Sequence, residues 1–137
     1  MNQNLWNHSY SIVDLELHSD YRGDLYEVMR FITQDIPSQG QIYVYTVNPG
    51  ERRGDHYHID KKEWFICVSG SIKSLIRTQD GLKYTHNLSC SNPQLVFVGS
   101  KTAHAVINES SDVAVLMAYA SKEFDPSFPD TYTQIAD

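Results

Sequence analysis

No apolar run in this chain approaches the roughly 20 residues that a membrane-crossing helix needs. The first residues lack the basic segment and apolar stretch of a secretory leader, so a cytoplasmic protein is expected. Cysteine is scarce: Cys67 and Cys90 are the only two, and Cys67 lies inside the apolar run Trp64-Phe65-Ile66-Cys67-Val68. A disulfide framework needs more cysteines and an exporting context, so both read as reduced thiols. Positive charge is also short, with 11 Lys and Arg against 17 Asp and Glu and a formal net charge of −6. Nucleic-acid binding requires clustered cations, and a membrane surface is no better matched. The densest basic spot, Arg52-Arg53 with Lys61-Lys62, suits one or two phosphates rather than a polyanion. Repeats, low-complexity tracts, interdomain linkers and sustained helical periodicity are all missing.

What remains is punctuated strand-like sequence. At 137 residues the chain has the size of one domain, 1–137, and 41% hydrophobic content is enough for a core. Ser11–Leu17 alternates apolar and polar residues and ends in a turn at residues 18–23. Strands are expected again at Leu25–Ile32, Gln41–Val47, Glu63–Val68, Ile72–Arg77, Leu82–Leu88, Leu95–Val98, His104–Asn108 and Val113–Tyr119. The Asp80-Gly81 dipeptide between two of these is a hairpin signal. Short strands at this spacing define an all-β sandwich or barrel, and closure into a barrel would remove exposed edges.

The stretch from Gly50 to Gly70 carries the chemistry. Residues two apart on a strand share a face, so His56 and His58 can both point into a barrel while Tyr57 points out. A short turn at residues 59–62 would return the chain, with Glu63, Phe65 and Cys67 facing inward on the next strand. His104, much later in sequence, supplies a fourth donor. Three imidazoles and one carboxylate suit one borderline divalent ion, zinc first, with manganese, iron, cobalt and nickel as alternatives. A His-x-His pair also occurs without metal; Glu63, His104 and the bracketing glycines add weight to it. His8, His18 and His86 have no such company and read as packed or surface histidines.

Gly50-x5-His56-x-His58-x4-Glu63-x6-Gly70 resembles the first motif of the cupin superfamily, and His104-x3-Asn108 resembles the end of the second. The Pro and Gly that usually precede that histidine by five and three positions are Gly99 and Lys101 here. The resemblance implies a single cupin (jelly-roll) β-barrel. Asp20-Tyr21-Arg22-Gly23, with Glu27, is similar to the opening of dTDP-4-dehydrorhamnose 3,5-epimerases. Arg53-Gly54-Asp55-His56 is similar to their R-G-x-H segment, whose histidine is the proton-abstracting base. Those enzymes lack the metal ligands. A nearer likeness is the C-terminal cupin domain of bifunctional capsular polysaccharide enzymes. It rests on Pro49-Gly50, Arg53 to His58, Lys62-Glu63, and the tail Glu123-Phe124-Asp125 with Pro129-Asp130-Thr131-Tyr132. In those enzymes a reductase precedes the cupin; 137 residues leave no room for one, so the resemblance implies a separate downstream reductase or a different final step.

The likeness implies a metal-dependent epimerase of a nucleotide-linked 4-keto sugar in surface polysaccharide biosynthesis. His56 is the expected base, in tension with a ligand role. The acid is sought among Tyr45, Tyr57 and Tyr119, with Tyr119 favoured by the resemblance. Arg53, Lys62 and Tyr45 are the expected substrate contacts. The alternatives are a 3,4-ketoisomerase of a dTDP-keto sugar, a metal-dependent dioxygenase, or a non-catalytic sugar-binding cupin with a structural metal. Cupin sugar enzymes resemble homodimers, and the strands from Ser11 to Ile32 could extend a partner's sheet.

Overall fold

The computed structural model describes residues 5–137. Among them there is no helix and there are twelve strands, all paired antiparallel. One five-stranded sheet runs in the order β1 (Tyr10–Asp14), β9 (Gln94–Val98), β6 (Glu63–Ser69), β11 (Ala114–Ala120) and β4 (Gln41–Val47). The second runs β12 (Tyr132–Thr133), β5 (Arg52–Tyr57), β10 (Ala103–Ile107), β7 (Ser71–Arg77) and β8 (Lys83–Ser89). A separate exposed hairpin is made by β2 (His18–Asp20) and β3 (Gly23–Leu25). The two large sheets form the expected jelly roll.

Alternation along β6 explains the core. Phe65 and Cys67 point between the sheets, where they meet Val47, Ile72, Ile76, Leu88, Val96, Val106 and Leu116. Trp64 points the other way and packs with Trp6, Ile36, Leu95, Phe97 and Tyr119 as a second apolar layer. A strand buried on both faces reads as a continuous apolar run, which is what residues 63–68 show. Each large apolar side chain buried in these layers contributes about 1.5–3 kcal/mol.

Two strand expectations need correction. The stretch Leu25–Ile32 is a strand only at its first residue. Beyond it the chain turns, with Gln34 N–H donating to Arg30 C=O and Ile36 N–H to Phe31 C=O. Val28, Met29 and Ile36 there cover the tryptophan layer, so their apolarity serves packing rather than pairing. The first strand stops at Asp14 rather than Leu17 and pairs on one side with β9 of its own barrel, where it forms the outer edge of the sheet. The Asp80-Gly81 hairpin is as expected, with Gly81 at φ +91°. Cys67 is buried, Cys90 is exposed, and the two are unpaired.

Candidate metal centre

The site begins with an irregularity in β5. Arg53 lies opposite Val106 and His56 opposite His104, so three residue steps on β5 match two on β10. The extra residue is a β-bulge, with Gly54 at φ +103° and Asp55 at φ +62°. Without it, side chains three apart would face opposite ways; with it, Arg53 and His56 both line the cavity between the sheets. Gly54 is required there, because a Cβ would lie 2.6 Å from the His104 carbonyl oxygen. Asp55 turns outward and accepts from Arg52 Nε at 2.6 Å, Arg52 Nη2 at 2.5 Å and the Ala136 N–H at 3.0 Å.

At the end of β5 the four expected donors come together. The candidate ligand atoms of His56, His58, Glu63 and His104 all lie within 4.8 Å of one another. Glu63 Oε1 is contacted by His58 Nε2 at 2.9 Å and His104 Nε2 at 3.2 Å. Tyr43 donates to Glu63 Oε2 at 2.5 Å. Burial pushes the Glu63 carboxyl up, but hydrogen bonds and positive charge from His104 and His58 outweigh it and hold it well below its ordinary value. Burial, then the charges of His104 and His58, push His56 down to about 4, so its ring is neutral at pH 7. Three ring nitrogens around one ionised, buried carboxylate are a donor set that fits a borderline divalent cation.

A cavity of about 310 Å³ opens beside the cluster, lined by Tyr43, Tyr45, Arg53, His56, Phe65 and His104 among others. Arg53 is anchored by Nε donating to Thr46 C=O at 2.9 Å, which leaves its two terminal nitrogens for a ligand. Burial and the Glu63 charge push the Tyr45 hydroxyl up, so it stays protonated.

Three expected contributors lie elsewhere. Tyr119 is on the outer face of β11, where its hydroxyl donates to the carbonyls of Pro37 and Gln39 and its ring packs against Trp64 and Phe31. The register that turns Ala118 and Leu116 inward turns Tyr119 out. Lys62 precedes Glu63 and therefore faces the same outer layer, in a hollow with Trp6, Asp35 and Trp64. Tyr57 stacks on Tyr132 outside the barrel, ring centroids 5.3 Å apart. Of the four basic residues near the turn, Arg52 pairs with Asp55 and Asp137, Lys61 is buried with Nζ 5.9 Å from the Phe124 ring centroid, and Arg53 reaches the cavity. Sequence reading missed Tyr43, although its place two residues before Tyr45 puts both on one face of β4. It also gave Asp130 no role.

A jelly-roll barrel with three histidines and a glutamate at adjoining strand ends is a cupin. Residues 18–132 match the model of the polysaccharide biosynthesis C-terminal domain, and the chain belongs to that family. It is 32% identical over 120 residues to the UDP-2-acetamido-2,6-beta-L-arabino-hexul-4-ose reductase of Pseudomonas aeruginosa. That alignment covers 87% of this chain and 31% of the reductase, so the chain spans about a third of that relative's length. Two solved sugar enzymes share the fold at low identity. The 3'-monoepimerase ChmJ of Streptomyces bikiniensis, solved with dTDP-quinovose, has a TM-score of 0.80 and 19% identity, over 91% of this chain and 69% of its own. The sugar 3,4-ketoisomerase QdtA of Thermoanaerobacterium thermosaccharolyticum, solved with TDP, has a TM-score of 0.75 and 20% identity, over 90% of this chain and 87% of its own. No helix among the described residues is long and apolar enough to cross a membrane.

Proposed function

We propose that residues 1–137 act as one cupin domain that epimerises a nucleotide-linked 4-keto sugar with the help of one divalent metal ion, in the making of a surface polysaccharide. The observation that carries this reading is the bulge at Gly54-Asp55, which turns His56 and Arg53 together into a cavity that borders the four-donor cluster. The family match and the sugar-nucleotide enzymes that share the fold support the substrate class.

His58, Glu63 and His104 would hold the ion, with His56 either a fourth ligand or free. Such an ion supplies Lewis acidity at a ketone oxygen, which acidifies the adjacent C–H. The residues do the rest. The neutral His56 ring accepts the proton from the carbon beside the ketone. The Tyr45 hydroxyl, which has no hydrogen-bond partner among the described residues, returns a proton to the opposite face of that carbon. One proton leaves and one is restored, so only configuration changes. Arg53 engages the diphosphate through its terminal nitrogens.

Deuterium wash-in on a panel of UDP- and dTDP-4-keto sugars tests this. Label should enter the carbon beside the ketone, His56→Asn should abolish it, and metal content should stay near wild type. Loss of metal with activity would make His56 an ordinary ligand and move the base elsewhere. A product with the ketone transferred to C3 would establish ketoisomerase chemistry instead. Absence of wash-in on every sugar would leave a binding module.

A further inference from the structure

Residue Asp130 is seventy-two positions from His58, yet one residue touches both the ligand and the turn that carries it. Its backbone carbonyl lies 2.7 Å from His58 Nδ1. Its carboxylate accepts three backbone N–H groups: Ile59 at 2.8 Å on Oδ1, and Asp60 and Lys61 at 3.0 Å on Oδ2. Those residues form the turn between β5 and β6, and so between His58 and Glu63. Asp130 stands at φ +50°, a left-handed conformation that Asp and Asn tolerate better than most residues. The following residues hold the segment in place: Tyr132 and Thr133 pair with Tyr57 and His56, and Gln134 N–H donates to Asp55 C=O at 2.8 Å.

We infer that Asp130 is a positioning residue of the metal centre, fixing the tautomer and aim of His58 and the span of the turn that joins it to Glu63. A carbonyl oxygen only accepts, so Nδ1 must carry the hydrogen and Nε2 is left toward the cluster. That is the arrangement in which an imidazole binds a metal through one nitrogen and is oriented through the other. The carboxylate then sets the distance between two ligands that are only five residues apart. The inference rests on the reading of the cluster as a metal centre.

Cobalt(II) titration, followed by its visible absorption and by competition with a chelator, tests it in the full chain. Asp130→Asn keeps the left-handed tolerance but turns one acceptor oxygen into a donor, so affinity should fall several-fold. Asp130→Ala loses both acceptor oxygens and all three of these hydrogen bonds, and affinity should fall roughly 10–100-fold, with a changed cobalt spectrum. A merely structural role would lower the melting temperature of the metal-free protein and leave cobalt affinity within twofold of wild type, which overturns the proposal. If the Ala variant does not fold, the Asn variant decides by the same criterion. Failure of the wild-type chain to bind cobalt, zinc or manganese would instead overturn the metal reading itself, and this proposal with it.

Discussion

Replacing Gly54 by alanine tests the bulge on which the site is built. At φ +103° an L-residue pays roughly 1–2 kcal/mol of backbone strain. The new Cβ would lie 2.6 Å from the His104 carbonyl oxygen and 2.9 Å from Ala105 Cα, both backbone atoms that no rotamer change can move. Relief requires β5 to part from β10, and overpacking of this kind costs about 1–3 kcal/mol. The sum is about 2–5 kcal/mol, or roughly 6–15 °C in Tm for a chain of this size. Because the strands part at His56 opposite His104, metal content should fall severalfold as well. Gly81→Ala is the control: φ is +91° but nothing lies within 4 Å of the added Cβ, so strain alone should cost about 1 kcal/mol and spare the metal. Thermal melting and metal analysis of both variants decide the matter. A Gly54→Ala protein that melts and binds metal like the Gly81→Ala protein would refute the reasoning.

Arg53→Ala should weaken UDP or dTDP binding several-fold by calorimetry while metal content is unchanged; unaltered affinity with a lowered Tm would mean that Arg53 only braces β4 through Thr46. Asp55→Asn should destabilise the chain in a pH-dependent way. The Arg52 hydrogen bond, against some burial, together with the Ala136 N–H holds the Asp55 carboxyl below its ordinary 3.8. A depressed carboxylate stabilises above its unfolded pKa and loses that contribution as pH falls through the folded value. The gap in Tm between wild type and Asp55→Asn should therefore be full at pH 5–7 and close below about pH 4, and a constant gap down to pH 3 would exclude the mechanism.

The barrel was legible because its signals are local. Alternation on residues 41–47, the apolar run at 63–68 and the Asp-Gly turn at 80–81 each mark an element without knowledge of its neighbours. The four clustered side chains, His56, His58, Glu63 and His104, were legible because their spacing is itself a motif. The orientation of cavity residues was not. Tyr119 and Tyr43 are both tyrosines on strands of one sheet, and only the register of β11 against β6 and β4 sends one out and the other toward Glu63. The bulge was half visible: Arg-Gly-Asp-His announces a turn-prone pair in a strand, but the parity change it produces needs the facing strand. Asp130 was invisible in its role, because a contact across seventy-two residues leaves no periodic trace. Lys101 is the opposite case. It occupies a position where the cupin pattern has glycine and adopts φ +61°, so the backbone demand survived the loss of the residue that meets it most cheaply.

Whether the cluster is catalytic or structural turns on which side of it is open. His58 and Glu63 are 5% and 6% exposed, whereas His56 and His104 border the cavity. A structural ion is ringed by protein donors, and a catalytic one keeps a position facing a space that a substrate can enter. Here the accessible side of the cluster is also the side that carries Arg53 and Tyr45. The energetics point the same way. A buried ionised carboxylate flanked by histidines is rarely a gain over well-packed apolar residues, because desolvation offsets most of the attraction. Elsewhere the same barrel is filled by Ile76, Leu88, Val96 and Leu116. An interior that needed only to hold β5, β6 and β10 together could be filled in that way at this end too. Charge, cavity and a bulge that spoils a regular strand meet at one place among the described residues, and the sugar chemistry proposed above would account for all three.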